Sequence, residues 1–237
     1  MIAVIPAAGI GQRMGSAIPK QYLQCAGASI LDHAISALLA EPRIERVFVA
    51  LQPDDRWFAS SQYASHSQVV RVNGGATRAE SVLNGVATAL ESYDKNILVA
   101  VHDAARPCLP LVLLATLLDT ASRYPHLGAI LALPARDTIK QADDQGAIPH
   151  IRTTLDRETI WLAQTPQVFR LGDLQHALQN AIAQGLVITD EASAIEADGG
   201  QPILVPSSRQ VMKVTDPEDL PLAEFYLQKL NCDTSKE

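Results

Sequence analysis

The chain has 237 residues, 47% of them hydrophobic and 19% charged, with a formal net charge of −7 and a pI near 5.3. That composition supplies a large α/β core and excludes a disordered chain, and the acidic balance argues against general binding to nucleic acid, so any anion site must be local. Cys25, Cys108 and Cys232 are too few and scattered for a disulfide framework or a CxxC metal site, and no apolar run suits a membrane span, so a cytoplasmic protein is expected.

The first element is an apolar strand, IAVI at 2–5, followed by the glycine-rich stretch PAAGIGQRMGSAIPKQYL from Pro6 to Leu23. A strand that runs into small residues and glycines brings backbone N–H groups together, which suits phosphate oxygens. Neither familiar phosphate motif is present: Gly9 and Gly11 are followed by Met14 where GxGxxG needs its third glycine, and no Gly-Lys-Ser/Thr stands at Walker spacing. Arg13 and Lys20 add two cations to the loop, enough to neutralise a polyphosphate and stabilise a transferring phosphoryl group.

The spacing of apolar residues predicts a helix over ILDHAISALL at 30–39, a strand over RVFVAL at 46–51, a short helix over DDRWFASS, and a strand over QVVRV at 68–72. Gly74-Gly75 then opens a helix over ATRAESVLNGVATAL. ILVAVHD at 97–103, a helix after Pro110, and GAILALP at 128–134 continue the alternation, which predicts a mostly parallel sheet covered on both faces. In such sheets ligands bind beyond the carboxyl ends of the strands, so the loops PAAGIG, NGG and DAARP should converge on one edge. The polar stretch 136–157 breaks the rhythm, carries a DDQG turn, and reads as a protruding β-arm on a single domain spanning 1–237. Helices over LGDLQHALQNAIAQG and TDEASAIEADGG, a strand over PILVPS, and a helix capped by Asp216 with Pro217 in its first position complete the chain; NCDTSKE should fray. Trp57 and Trp161 are expected to pack, and His102 beside Asp103 to be hydrogen-bonded rather than a general base.

The stretch Pro6–Leu23, with VAVHDAARP at 99–107, TPQ at 165–167, ITDEAS at 188–193 and KVTDPEDL at 213–220, resembles the 2-C-methyl-D-erythritol 4-phosphate cytidylyltransferase family over nearly the whole chain. The resemblance implies a Rossmann-like sheet of the nucleotide-diphospho-sugar transferase type and cytidylyl transfer from CTP to the sugar-alcohol phosphate, with pyrophosphate released, for isoprenoid synthesis by the non-mevalonate route. It also implies Mg²⁺, bound mainly through the CTP phosphates. Arg13 and Lys20 then correspond to transition-state stabilisers, and Arg157 and Lys213 to the clamp on the attacking phosphate. Asp103, Arg106, Thr138, Thr165 and Thr189 correspond to substrate contacts, although the Asp103 carboxylate suits Mg²⁺ as well as a polyol. Ala7, Ala8 and Gly9, with Gly74, Gly75 and Ser81, would select cytosine. One departure is Ala76, where an acidic residue is expected after the glycines.

Because the arm projects from its own sheet, Arg157 and Thr138 are expected to reach a second subunit's site in a homodimer with arm exchange. The nearest alternative is ribitol-5-phosphate cytidylyltransferase, which uses a similar loop set. A nicotinamide oxidoreductase is disfavoured by the missing third glycine and by Leu51-Gln52-Pro53 where a ribose-binding acid would stand. A nucleotide sensor that has lost turnover would not need the second phosphate clamp. With no room for a cyclodiphosphate synthase domain after the last helix, the chain is expected to be monofunctional.

Overall fold

The computed structural model describes residues 1–9, 18–143 and 148–234; Gly11, Arg13 and most of the DDQG turn lie outside these. In chain order the elements are β1 (Ile2–Pro6), β2 (Gln24–Cys25), β3 (Ala28–Ser29), α1 (Ile30–Leu39), β4 (Arg46–Leu51), β5 (Val69–Asn73), α2 (Arg78–Leu90), β6 (Leu98–Val101), α3 (Leu111–Arg123), β7 (Ala129–Pro134), β8 (Ile139–Asp143), β9 (His150–Leu155), β10 (Trp161–Arg170), α4 (Leu171–Ala183), α5 (Glu191–Ala197), β11 (Ile203–Pro206) and α6 (Asp219–Thr234).

The central sheet has seven strands in the order β11-β7-β10-β6-β1-β4-β5. Its pairs are parallel except where β10 meets β6 and β7, so the sheet is mostly parallel, as the alternating pattern predicts. The reading of the chain did not find β10, because WLAQTPQVFR has polar residues at its centre and no clean period. Tertiary pairing decides that strand: Gln167–Arg170 lie opposite Val101–Leu98. DDRWFASS forms only a single 3-10 turn at Phe58–Ser60.

The two faces of the sheet follow from the period-two geometry of a strand. Ala3 and Ile5 of β1 face one core with Leu31, Ile35 and Leu38 of α1 and Leu114, Leu117 and Leu118 of α3. Ile2 and Val4 face the other, with Val82 and Val86 of α2 and Leu174 and Leu178 of α4. α2 lies very close to β1, since a Cβ on Gly85 would stand 2.7 Å from Val4 Cγ1. A smaller apolar cluster seats α6, through Ala223 and Leu227, on Cys25, Ile30, Cys108 and Val214. Trp57 is half-buried and stacks on Tyr22 at 6.0 Å, as expected of a packing tryptophan, and Trp161 is half-buried.

Local chemistry sets the helix starts. Thr77 and Glu80 form a reciprocal capping box at α2, and Asp190 with Ser193 does the same at α5. α6 starts at Asp219 rather than at the expected Pro217, and the Asp219 carboxylate accepts from the upstream backbone N–H groups of Thr215 at 2.7 Å and Asp216 at 3.0 Å. That carboxylate ties the Lys213–Asp216 segment to the helix start. Among the described residues β8 and β9 pair only with each other, as a separate two-stranded ribbon with Ile148 and Ile151 exposed.

Candidate active site

Parallel pairing of β1 with β4 and β6, and of β4 with β5, brings the carboxyl ends of these strands to one edge. The loops after β1, β5 and β6 meet there, and antiparallel β10 delivers Thr165 to the same place. Gly74 makes the meeting possible: a Cβ there would lie 2.5 Å from Ala8 Cβ, so a larger residue would force the first two loops apart.

Two cavities open at this edge. The first, of about 200 Å³, is lined by Pro6–Gly9, Lys20, Gln21, Gly75–Arg78, Ser81, Asp103–Ala105 and Lys213. The second, of about 260 Å³, is lined by Arg78, Asp103, Arg106, Ala163–Thr165, Gln167, Thr189, Asp190 and Lys213. Arg78, Asp103 and Lys213 line both, so these three side chains form the boundary between two lobes of one cleft.

Asp103 is the centre of that boundary. It is 7% exposed; Arg78 holds its Oδ1 at 2.9 Å, Lys213 holds Oδ2 at 2.9 Å, and Arg106 Nε lies 3.6 Å from Oδ2. Burial pushes the carboxyl up, but Arg78, Lys213 and Arg106 together outweigh it and hold Asp103 below the usual carboxylate range. Arg78 also holds Glu191, fully buried at the start of α5, through contacts of 2.5 and 3.1 Å. Burial raises the Glu191 carboxyl against the pull of Arg78. Arg106 donates through Nη1 to Val211 O at 2.7 Å, while its buried Nε lacks a hydrogen-bond partner among the described residues.

Behind Asp103, Thr165 Oγ1 accepts the Asp103 backbone N–H at 2.9 Å and lies 3.1 Å from His102 Nδ1. His102 is fully buried and bonded rather than exposed to a ligand, as expected. Lys20 projects into the first lobe, with Nζ donating to Val214 O at 3.2 Å.

Three residues expected at the nucleotide line the first lobe but spend polar groups within the fold. Ala7 spends its N–H on Ala50 O at 2.8 Å and its carbonyl accepts from Gln21 at 2.7 Å, so its peptide groups brace the loop. The Ala8 carbonyl accepts from Gln52 at 2.5 Å. Ser81 is 2% exposed, and its hydroxyl donates to Thr77 O at 2.9 Å and accepts the Gly75 N–H at 3.0 Å. It shapes the glycine loop from within the helix. Gln21 and Gln52 were missed because a glutamine that bonds to a carbonyl distant in the chain leaves no spacing signal.

The structure does not bring Arg157 and Thr138 into the same chain's cleft. Arg157 follows β9, its side chain is 52% exposed, and it donates to Arg136 O at 2.9 Å; Thr138 is exposed beside β8. Arg78 and Glu191 were also missed as site residues, although each stands in a quoted stretch; the sequence gives no sign that 113 positions separate two ends of one ion pair. Among the described residues no group of three His, Cys, Asp or Glu side chains could hold a metal ion. Asp103 is the carboxylate on both lobes, and three cations already surround it.

A glycine loop carrying a lysine, two lobes joined at a cation-rich boundary around the buried Asp103, and a mostly parallel sheet mark a nucleotidyltransferase. The family model for 2-C-methyl-D-erythritol 4-phosphate cytidylyltransferase (IspD) matches residues 1–229. The chain belongs to that family. The enzyme of that name from Pseudoalteromonas atlantica is 51% identical over 225 residues, covering 95% of this chain and 94% of the relative. That from Vibrio vulnificus strain YJ016 is 46% identical over 229 residues, covering 97% and 95%. A solved structure of the Francisella tularensis protein of the same name superposes with a TM-score of 0.81 at 37% identity, covering 95% of this chain and 98% of that one.

Proposed function

We propose that this enzyme transfers a cytidylyl group from CTP to 2-C-methyl-D-erythritol 4-phosphate, releasing pyrophosphate, in isoprenoid precursor synthesis. The observation that carries the reading is the meeting of two polar lobes at Arg78, Asp103 and Lys213, which suits two anionic substrates reacting across one boundary. Family membership favours methylerythritol phosphate over ribitol phosphate.

In this reading CTP occupies the first lobe. The Ala8 N–H, the Gly9 peptide and the Gly74 carbonyl select the pyrimidine by shape and backbone contact, since the Gly74 N–H is spent on Leu51 O and the Gly75 N–H on Ser81, and Lys20, with Arg13 by its place in the motif, receives the triphosphate. The sugar-alcohol phosphate occupies the second lobe, where Thr165, Thr189 and Asp103 receive the polyol and Lys213 and Arg106 receive the phosphate. A phosphate monoester is largely dianionic near neutral pH, so no side-chain nucleophile is required. One of its oxygens forms the new bond to the α-phosphorus while the bond to the bridging α–β oxygen breaks, and the electron pair departs with pyrophosphate. The chief barrier is repulsion between anions, which Arg13, Lys20 and Lys213 reduce; a contact of this kind lowers the barrier by about 3–4 kcal/mol. Mg²⁺ would enter as the CTP complex, held mainly by phosphate oxygens, and supply charge neutralisation on the triphosphate.

Residues 136–157 form the arm in this reading. Arg157 and Thr138 stand away from their own cleft, which supports a homodimer in which the arm completes the partner's second lobe. No helix of the described residues is long and apolar enough to cross a membrane, and a cytoplasmic enzyme is proposed.

Pyrophosphate release with Mg²⁺ and CTP, run with methylerythritol 4-phosphate and ribitol 5-phosphate and with ATP, GTP and UTP in place of CTP, tests the reading. Release confined to CTP and methylerythritol phosphate is expected. Preference for ribitol phosphate would change the pathway, and silence with every pair would leave a nucleotide sensor.

A further inference from the structure

We infer that His102 is a positioning residue that fixes Thr165 as a hydrogen-bond acceptor, so that Thr165 reads a hydroxyl of the polyol and not its phosphate. The inference rests on the second lobe being the sugar-alcohol phosphate site.

The polarity of each bond in the chain is determined by its ends. His102 Nε2 lies 2.9 Å from Arg106 O, and a carbonyl can only accept, so Nε2 carries the hydrogen. The ring is 0% exposed, and burial pushes its pKa down to about 4, so it is neutral near pH 7 and Nδ1 bears no hydrogen. Thr165 Oγ1, 3.1 Å away, therefore donates its single proton to Nδ1. The same oxygen accepts the Asp103 N–H at 2.9 Å. One lone pair remains on Oγ1, and no proton.

Thr165 lines the second lobe and is 4% exposed, so what it offers a ligand is an acceptor at a fixed place. A phosphate dianion presents only acceptors and would meet it lone pair to lone pair. An alcohol O–H matches it. Threonine beside a cationic clamp would ordinarily be read as a phosphate donor; the buried imidazole reverses that polarity. A site whose polar group must pair with a substrate hydroxyl rejects the analogue lacking that hydroxyl, because the acceptor is then left desolvated.

The direct test is the nitrogen-15 spectrum of His102 in the whole enzyme at pH 7.5, where long-range correlations distinguish the two neutral tautomers from the cation. The Nε2–H tautomer is expected; an Nδ1–H ring or an imidazolium would overturn the inference. Kinetics supply the functional half. Leu at this position carries no acceptor for Thr165, so H102L should raise KM for the sugar-alcohol phosphate by an order of magnitude or more and leave KM for CTP nearly unchanged. T165V should do the same, and the double variant should be no worse than T165V, because the two act as one unit. Equal effects on both substrates, or additive losses, would refute the unit. Finally, the T165V penalty should disappear with one monodeoxy analogue of the substrate; persistence with every such analogue would assign Thr165 to the phosphate. Failure of the wild-type enzyme to turn over this substrate would reject the functional reading, while the tautomer spectrum would still be readable.

Discussion

Arg78 and Glu191, separated by 113 positions in the chain, are joined by contacts of 2.5 and 3.1 Å, with the glutamate wholly buried. The same guanidinium holds Asp103, so the Glu191 pair orients the carboxylate at the boundary of the two lobes. Removing one member of a buried ion pair leaves the other uncompensated. Glu191→Ala is expected to lower stability by about 3–5 kcal/mol, read from the urea midpoint at unchanged slope, and Glu191→Gln by less because it keeps an acceptor. A loss under about 1 kcal/mol for the alanine variant would contradict the pairing.

Lys20 reaches the first lobe from the loop that also carries Arg13. Lys20→Ala and Arg13→Ala should each lower kcat about 10²–10³-fold, since each removes charge stabilisation at the transferring phosphoryl group. Arg157→Ala should chiefly raise KM for the sugar-alcohol phosphate. Steady-state kinetics with each substrate varied separately separate these outcomes; near-normal constants in all three would reject the site assignment.

His102 links stability to pH. Its pKa falls from about 6.5 in the unfolded chain to about 4 in the fold, so between these values the unfolded state binds the extra proton. Its contribution is complete above about pH 6.5 and declines on acidification toward about 4, by about 3 kcal/mol in total. Asp103, held below its usual range, loses its own contribution only at still lower pH. Urea unfolding between pH 7 and pH 4 should show a slope that is diminished in H102Q; identical slopes would exclude the buried neutral ring as its source.

Gly74 sets the spacing of the two nucleotide loops. Gly74→Ala places a methyl 2.5 Å from Ala8 Cβ and should separate them, raising KM for CTP more than KM for the second substrate. Overpacking of this kind typically costs about 1–3 kcal/mol. Equal KM values for mutant and wild type would show that the loops tolerate the wider spacing.

The arm proposal predicts complementation. With the sugar-alcohol phosphate held well below the raised KM, Arg13→Ala and Arg157→Ala homodimers should each be nearly inactive, but a mixed dimer with arms exchanged contains one intact site. After unfolding and refolding an equal mixture, roughly a quarter of wild-type activity should return. No recovery, with mixed dimers verified by mass, would confine Arg157 to its own subunit.

Much of the scaffold was legible in the chain. The apolar strands at 2–5, 46–51 and 128–134 and the helix at 30–39 stand almost where their periodicities put them, because burial on one or both faces is written locally in the side chains. The loops PAAGIG, NGG and DAARP could be assigned to one edge because parallel α/β sheets place their strand ends together. The motifs in those loops were enough to mark the family.

Other features depended on contacts between distant parts of the chain. β10 has no strand-like period of its own and exists because β6 and β7 offer backbone partners on either side. Gln21, Gln52 and Ser81 brace backbone groups that local reading had left open for a nucleotide, since hydrogen bonds are chosen by proximity in space. The Arg78–Glu191 pair and the polarity of Thr165 are likewise products of burial, where low dielectric makes an unpaired charge or a misdirected proton costly. The sequence alone determined the class of fold, the edge on which the loops converge and the family; the tertiary structure decided which carboxylate is clamped, which loop groups remain open, and which way the buried hydrogen bonds run.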